Sequence, residues 1–205
     1  DHSLDILKEY QKNDSRVSVY NQTNQYAGVA RNNGLKKAKG KYVIFWDADD
    51  FFELNSLEIM YERAESVKAD IVVCNSIAYD DEYKCDIEWD RSINTAYLPQ
   101  KEVFSKYDIT DYIFLICVAW SWDKLFNREF ILNNNLYYGD SRTEEDVQFV
   151  FVALAVAESI TIVEDRLIHY RKYNPNSLEN SRDGYWNSTI IMFEKFLGEL
   201  RIRKI

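Results

Sequence analysis

A short apolar run that ends in a cluster of carboxylates places the strongest limit on the fold of this 205-residue chain. Residues Tyr42–Trp46 are all β-branched or aromatic, and five residues are too few for a helix. They predict a strand buried on both faces, as in a parallel sheet. Asp47, Asp49 and Asp50 follow it, at the edge where open α/β sheets bind ligands. Because neighbouring carboxylates repel one another, they favour a compensating cation, and oxygen ligands suit Mg²⁺ or Mn²⁺ holding a diphosphate.

Two simpler interpretations of the acidic cluster need to be considered. A single Asp after a strand often caps the next helix, and this alternative stays open. Asp47, Asp49 and Glu58 also fall at positions one, three and twelve of a calcium-binding EF-hand loop. That loop requires glycine at position six, where this chain has Phe52, and it follows a helix rather than a strand. The calcium loop is therefore excluded.

Charge and cysteine content limit the classes of partner. The formal net charge of −9 argues against nucleic acid, although a local basic site for a small phosphorylated ligand remains compatible with it. Cys74, Cys85 and Cys117 show no Cys-x-x-Cys spacing, so we expect free thiols in a reducing compartment such as the cytoplasm. No apolar run in the sequence is long enough to span a membrane.

The order of apolar patterns along the chain predicts an α/β fold. Before residue 76, strands and helices alternate, which is typical of a mostly parallel sheet between layers of helices. The helices expected in this part are residues 3–12, Ala27–Lys39 and Ser56–Lys68, and the further strands are Arg16–Tyr20 and Asp70–Asn75. Residues 76–107 interrupt the alternation, and a hairpin or a long inserted loop is expected there. Beyond it we expect helices at 109–117, 124–133, 144–157 and 185–205, with strands at 160–163 and 166–170.

Two helix starts carry polar residues whose roles local patterns leave open. Gly28 and Arg31 begin the second helix, where backbone N–H groups and a guanidinium can hold phosphate. A solvated arginine on a surface helix is the commoner arrangement. Thr143 is the expected cap of the 144–157 helix, and the first-turn acids Glu145 and Asp146 can stabilise that helix without any catalysis.

The last predicted helix is amphipathic and ends in basic residues. Packing of its apolar face on the domain is favoured, and contact with an anionic membrane surface is a second use of the same face. That face is predicted to contain Trp186, Ile190, Phe193, Leu197 and Leu200.

Taken in order, these pieces resemble the inverting family 2 glycosyltransferases with a GT-A fold, particularly bacterial enzymes that build surface polysaccharides. The matching segments are Asn24–Gly34, Gly40–Phe51 with its Asp-Ala-Asp-Asp core, Trp122–Phe126, Glu145–Val147 and Tyr170–Leu178. The resemblance covers residues 1–180 as one GT-A domain, followed by an amphipathic helix over 181–205. It implies sugar transfer, with inversion, from a nucleoside-diphosphate sugar such as a UDP-sugar to a glycan or lipid-linked glycan. It also implies a cytoplasmic location, at or near the inner face of the cell membrane.

The resemblance assigns the donor site to four positions. Asp49 is similar to the family's metal ligand for Mn²⁺ or Mg²⁺, and Asp47 to the acid beside the ribose and the metal. Arg31 and Asn24 match residues on the nucleotide side. A cation and an arginine there would stabilise the charge that develops on the departing diphosphate.

The acceptor side is implied by other segments. Asp146 is similar to the catalytic base that takes the proton of the acceptor hydroxyl, with Glu145 beside it. Arg171 and Ser177 match a loop that closes over diphosphate and acceptor. Trp120 and Trp122 can offer ring faces to the acceptor sugar, and core packing is at least as good an interpretation for one of them.

The resemblance further implies an earlier strand, helix and strand, with the segment Asp1–Leu4 matching residues that follow them. Those strands would lie between the Arg16–Tyr20 strand and the central strand, so the sequence is expected to be a piece of a longer chain. Two alternatives remain: a non-catalytic glycan-binding or assembly subunit, and a sugar-1-phosphate nucleotidyltransferase. The second normally has a glycine-rich phosphate loop before its metal site, and that loop is not found in this sequence.

Overall fold

A six-stranded mixed sheet with helices on both faces organises the chain in the computed structural model, which describes residues 2–88, 92–173 and 186–205, apart from the side chains of Trp186 and Ser188. The helices are α1 (Ser3–Asn13), α2 (Tyr26–Lys37), α3 (Ser56–Val67), α4 (Arg128–Asn133), α5 (Glu145–Val156) and α6 (Trp186–Arg203). The strands are β1 (Tyr42–Ile44), β2 (Phe51–Phe52), β3 (Ile71–Asp80), β4 (Cys85–Ile87), β5 (Lys124–Asn127) and β6 (Ile160–Lys172).

The strand order is β1-β5-β3-β6-β2, and β4 pairs with the far end of β3. The ladder between β3 and β6 is parallel, whereas β1–β5, β5–β3, β6–β2 and β3–β4 are antiparallel. Strands β1, β3 and β6 therefore share one direction, and for β1 and β3 this was predicted. The sequence did not predict that β5 would run antiparallel between β1 and β3, and this strand makes the sheet mixed rather than mostly parallel in its pairing.

Strand β3 forms the centre of the sheet and separates two apolar clusters. Ile71 and Val73 point into the cluster that contains α5, while Val72 and Cys74 point into the one that contains α3. Successive side chains of a strand lie on opposite faces, so a continuous apolar run is buried on both sides. The four residues are fully buried, which agrees with the strand predicted over Asp70–Asn75.

Helices α1, α2, α3 and α5 were predicted to within a few residues, and residues 76–87 form the expected hairpin between β3 and β4. Arg16–Tyr20 was predicted as a strand and is irregular, because no described strand lies beside it to accept its hydrogen bonds. The predicted helix at 109–117 is a series of turns. The two strands predicted at 160–163 and 166–170 are one strand, β6, with an irregularity opposite Cys74 and Asn75.

The helix predicted at 124–133 begins only at Arg128. Residues Lys124–Asn127 pair with both β1 and β3, so sheet pairing overrides helix formation there. The Asn127 carboxamide then accepts hydrogen bonds from Glu129 N (2.9 Å) and Phe130 N (3.2 Å), which caps α4.

Helix α6 packs on the domain with a different face from the one predicted. Met192 and Phe196 are buried and Leu200 packs against the same core, whereas Ile190 and Phe193 are exposed, as is Leu197. The predicted start of this helix at Tyr185 lies outside the described residues, as does the side chain of Trp186. None of the described helices is long and apolar enough to cross a membrane.

Candidate functional site

One arginine joins three carboxylates that come from two distant parts of the chain. Arg31, on α2, donates to Asp47 just beyond β1 (2.5 Å), and to Glu145 (2.9 Å) and Asp146 (2.8 Å) in the first turn of α5. The Arg31 side chain is only 13% exposed. The structure thus brings together the residues that the sequence assigned to nucleotide and to catalysis. One guanidinium group therefore faces three carboxyl groups.

The electrostatics of this cluster are governed by burial. Burial raises the pKa of Asp146 to about 7; Arg31 opposes this rise, and the neighbouring Glu145 and Asp47 charges add to it. Burial likewise raises the pKa of Glu145. Burial lowers the pKa of Arg31, but the carboxylates of Asp146 and Asp47 outweigh it and the net shift is upward. Asp146 therefore has the proton affinity of a base that works near neutral pH.

The first turn of α5 differs from the expected cap. Thr143 is not the capping residue; the helix begins at Glu145 after Glu144, whose φ of 62° is left-handed. That geometry gives the start of α5 no side-chain cap. Asp146 uses its carboxylate to contact Arg31 and to accept a hydrogen bond from Ser121 Oγ (3.3 Å).

The acidic loop after β1 places its three carboxylates in different surroundings. Asp47 pairs with Arg31, whereas Asp49 is exposed and accepts no hydrogen bond from any described residue. Asp50 accepts a hydrogen bond from the backbone N of Arg171 at the end of β6 (2.9 Å). Burial raises the pKa of Asp50 to about 7, the Arg171 N–H opposes this rise, and Asp49 and Asp47 add to it. The role of Asp50 in tying this loop to β6 was missed by the sequence prediction.

The carboxylate oxygens of this loop are chemically suited to a divalent cation that also binds the phosphates of a substrate. Within the described ranges, no three His, Cys, Asp or Glu side chains are grouped closely enough to hold a metal by themselves. Asp49 and Asp47 offer carboxylate oxygens, which suit Mg²⁺ or Mn²⁺ bound through one or two carboxylates plus substrate phosphates. These two residues would hold such a cation, and its chemistry would be to neutralise charge on a bound diphosphate.

Of the remaining predicted donor-side residues, two are described and one is not. Asn24 Oδ1 accepts a hydrogen bond from Tyr26 N (3.0 Å) at the entry to α2, an exposed position. The Arg171 guanidinium donates to Asp81 (2.7 Å), so it must leave this pairing to reach a diphosphate. Ser177 lies outside the described residues.

The two tryptophans assigned to the acceptor have different environments. Their rings are stacked with centroids 4.8 Å apart, and each lies 5.5 Å from the Tyr170 ring. Trp122 is 2% exposed and belongs to the apolar cluster around α3, so the assignment of Trp122 to the acceptor is corrected to core packing. Trp120 is half-buried and keeps part of its surface accessible.

A close approach between two glycines holds the helix of Arg31 against the start of α5. A Cβ placed on Gly28 would lie 2.0 Å from the carbonyl oxygen of Gly139 and 3.1 Å from Glu145 Cβ. The small residue that suggested a phosphate cradle thus serves packing in this structure. Tyr138 lies beneath the site: its ring centroid is 5.4 Å from the Arg31 guanidinium carbon, and its hydroxyl is buried without a partner among the described residues. No sequence pattern pointed to Tyr138 or to Ser121.

Comparison with known proteins identifies the family of this chain. The family model described as "Glycosyl transferase family 2" matches residues 1–122. A cholesterol galactosyltransferase of Borreliella burgdorferi is 28% identical over 96% of this chain and 61% of its own length. The poly(ribitol-phosphate) beta-N-acetylglucosaminyltransferase TarP of Staphylococcus aureus is 30% identical over 80% of this chain and 46% of its own.

The fold comparison agrees with the family match. The crystal structure of residues 1–349 of Staphylococcus aureus TarS in complex with UDP-GlcNAc superposes with a TM-score of 0.66, at 18% identity, over 87% of this chain and 48% of that one. The predicted GT-A fold class is confirmed by this likeness. The chain thus spans roughly half to three fifths of the length of these relatives. With a family model that matches more than half of its residues, the chain belongs to glycosyl transferase family 2.

Proposed function

We propose that this chain provides the donor and catalytic residues of a glycosyltransferase that moves a sugar, with inversion, from a nucleoside-diphosphate sugar to a glycan or lipid-linked glycan. The observation that carries the proposal is the contact of Arg31 with Asp47 on one side and with Glu145 and Asp146 on the other. This contact supports the proposal because it joins the cation proposed to bind phosphate, an acid proposed to bind the metal and a buried carboxylate. Family membership supports the reaction class.

The donor in this proposal is a UDP-sugar held with Mn²⁺ or Mg²⁺. A UDP-GlcNAc complex is known for a protein of the same fold, TarS. In the present chain, Asp49 and Asp47 would hold the cation, while Arg31 would turn from its carboxylate partners towards the diphosphate. Arg31 and the cation would then stabilise the negative charge that develops on the departing diphosphate. This stabilisation would be stronger than in water, because the site is partly shielded from solvent.

Asp146 is the proposed base. Its carboxylate is held by Arg31 and Ser121, and its raised pKa lets it accept a proton from an attacking hydroxyl near pH 7. Glu145 lies beside it and would face the acceptor. Trp120 would supply a ring face against which the acceptor sugar packs.

The test is a pair of measurements on Asp146→Asn in the full-length protein. Turnover should fall by roughly 10²–10⁴-fold, the usual contribution of a positioned general base. UDP affinity should be retained or increased, because Arg31 loses one competing carboxylate. Glu158→Gln, which makes the same charge change at an exposed position just beyond α5, is the matched control and should leave both quantities unchanged. Retained turnover in Asp146→Asn would show that Asp146 only supports the helix start.

The two alternatives are separated by simpler measurements. A glycan-binding or assembly subunit should give no Mn²⁺-dependent heat when it is titrated with UDP. A sugar-1-phosphate nucleotidyltransferase should release pyrophosphate from a nucleoside triphosphate, whereas the proposed enzyme should release UDP from a UDP-sugar. A screen of the full-length protein against nucleotide-sugars, with detection of released UDP or GDP, distinguishes all three.

Peripheral contact with the inner face of the cell membrane is part of the same proposal. The outward face of α6 exposes Ile190, Phe193 and Leu197, and Arg201 lies in its last turn. Exposed apolar residues beside basic ones suit an interface with anionic lipids. Phe193→Ser should reduce co-sedimentation of the full-length protein with phosphatidylglycerol vesicles. Equal sedimentation of the variant and the unchanged protein would remove membrane contact from the proposal.

A further inference from the structure

A buried lysine holds the loop that brings Trp120 and Ser121 to the site. The ammonium of Lys124, the first residue of β5, donates to the carbonyl oxygens of Val118 (2.9 Å) and Trp120 (2.7 Å). It also donates to Asp123 Oδ1 (2.7 Å). An ammonium has three N–H donors, and all three are used within residues 118–123. The loop is therefore wrapped around a single positive charge.

This charge is withdrawn completely from solvent. The side chains of Lys124 and Asp123 are both 0% exposed. Burial raises the pKa of Asp123 to about 6, and Lys124 opposes that rise. Asp123 Oδ2 has no hydrogen-bond partner among the described residues, so the pair is only partly compensated.

Stability alone does not account for a lysine at this position. A buried ion pair is commonly matched or exceeded in stability by apolar residues of similar volume. Lys124 pairs across the sheet with Val73, which belongs to the apolar cluster that contains α5. The particular contribution of the ammonium is its two contacts to backbone carbonyls, which determine the path of residues 118–120.

The same loop supplies two groups to the proposed site. Trp120 is stacked on Trp122 and lies beside Tyr170, which sets the orientation of its ring. Ser121 Oγ donates to Asp146 Oδ1. The backbone closes the loop as well, because Lys124 N donates to Ser121 O (3.3 Å). A shift of this loop would move an acceptor-side ring and a partner of the proposed base together.

We propose that Lys124 is a positioning residue, whose ammonium fixes the 118–123 loop so that Trp120 faces the acceptor and Ser121 reaches Asp146. The consequence for sugar transfer rests on the function proposed above. The effect on the loop itself does not, and the two can be measured separately.

A matched pair of variants isolates the ammonium in the full-length protein. Asp123→Asn keeps an acceptor oxygen for Lys124 and removes one charge. The double variant Asp123→Asn, Lys124→Met differs from it only in lacking the ammonium, and it leaves no unpaired buried charge. Replacement of Lys124 by methionine also alters the packing of the interior. The variant Asp123→Asn, Lys124→Gln is therefore made as well, because the glutamine amide keeps N–H groups that can donate to a backbone carbonyl of the loop.

Hydrogen exchange of peptides from residues 118–123 is the first readout. Exchange should be about tenfold faster in the Met variant than in Asp123→Asn, with an intermediate rate in the Gln variant, because the loop opens locally. Peptides from α3 should exchange equally in all of them. Equal rates in the loop would overturn the proposal, and so would faster exchange throughout the Met and Gln variants, which would assign Lys124 to global stability.

Acceptor kinetics is the second readout. In the Met variant, kcat/KM for the acceptor should fall about 10²-fold relative to Asp123→Asn, as expected when reacting groups are displaced by about 1 Å. The Kd for UDP should not change, because no hydrogen bond or ion pair among the described residues joins Arg31 or Asp47 directly to this loop. An unchanged kcat/KM would overturn the positioning role. If the unmodified protein transfers no sugar from any nucleotide-sugar, the proposed function fails, while the exchange comparison still decides whether Lys124 holds the loop.

Discussion

Substitution of Gly28 by alanine is expected to destabilise the protein and to disturb the site. The new Cβ would lie 2.0 Å from the Gly139 carbonyl oxygen, and 3.1 and 3.2 Å from Glu145 Cβ and Cγ. Because ordinary contacts lie at about 3.5 Å, the backbone around Gly139 must move by more than about 1 Å. Over-packing of this kind typically costs about 1–3 kcal/mol.

The same helix offers a control. Gly34 lies in α2 as well, and a Cβ placed there would meet no atom within 4 Å. Gly34→Ala should therefore stabilise the protein by roughly 0.5–1 kcal/mol, the usual gain in helix propensity. Thermal unfolding of both variants in the full-length protein should show midpoints shifted in opposite directions, by about 2–4 °C per kcal/mol.

Gly28→Ala should also weaken UDP binding, whereas Gly34→Ala should not. Displacement of the Gly139 segment and of Glu145 would pull the start of α5 away from Arg31, which is held between the two elements. Isothermal titration with UDP and Mn²⁺ measures this effect. A Gly28→Ala protein as stable as Gly34→Ala, with unchanged UDP affinity, would refute the packing role assigned to Gly28.

Four further outcomes are expected of the full-length protein. Asp49→Ala should abolish Mn²⁺-dependent UDP binding without loss of fold, because no described residue donates to that carboxylate; an unchanged affinity in titrations would contradict the metal assignment. The transfer rate should rise as pH increases through about 7, since burial raises the pKa of Asp146 to about 7 and only its ionised form accepts a proton; a flat profile would contradict this. The same shift means that the native state retains a proton lost by the unfolded chain, so the contribution of Asp146 to stability should decline between about pH 4 and 7. Trp122→Ala should lower the free energy of unfolding by about 3–5 kcal/mol, whereas Trp120→Ala should chiefly raise the acceptor KM; similar unfolding midpoints for the two would reverse these roles.

Features encoded within a few consecutive residues were predictable from the sequence. The apolar run before Asp47 predicted a strand, and its first three residues form β1. Helix α3 begins at Ser56 as predicted, because apolar residues at helical spacing follow one another there. Such patterns depend on the local periods of strand and helix, which the chain carries in any context.

Elements that depend on distant partners were not predictable. Residues Lys124–Asn127 carry a pattern compatible with a helix, and only the free edges of β1 and β3 made them a strand. Helix α6 carries apolar residues outside the face predicted for it, so its buried face was decided by its neighbours: Phe196 packs against Phe114 and Phe151. Burial of Trp122 beside the half-buried Trp120 was decided in the same way.

The site combines both kinds of information. The sequence by itself determined which chemical groups are present, because Arg31, Asp47 and Asp146 each occur in a recognisable local motif. Tertiary structure decided that they meet, since Arg31 and Asp146 are 115 positions apart and no local pattern relates them. It also decided their proton affinities: the pKa of Asp146 depends on burial and on neighbouring charges, and both exist only once α2, the loop after β1 and the start of α5 have packed together.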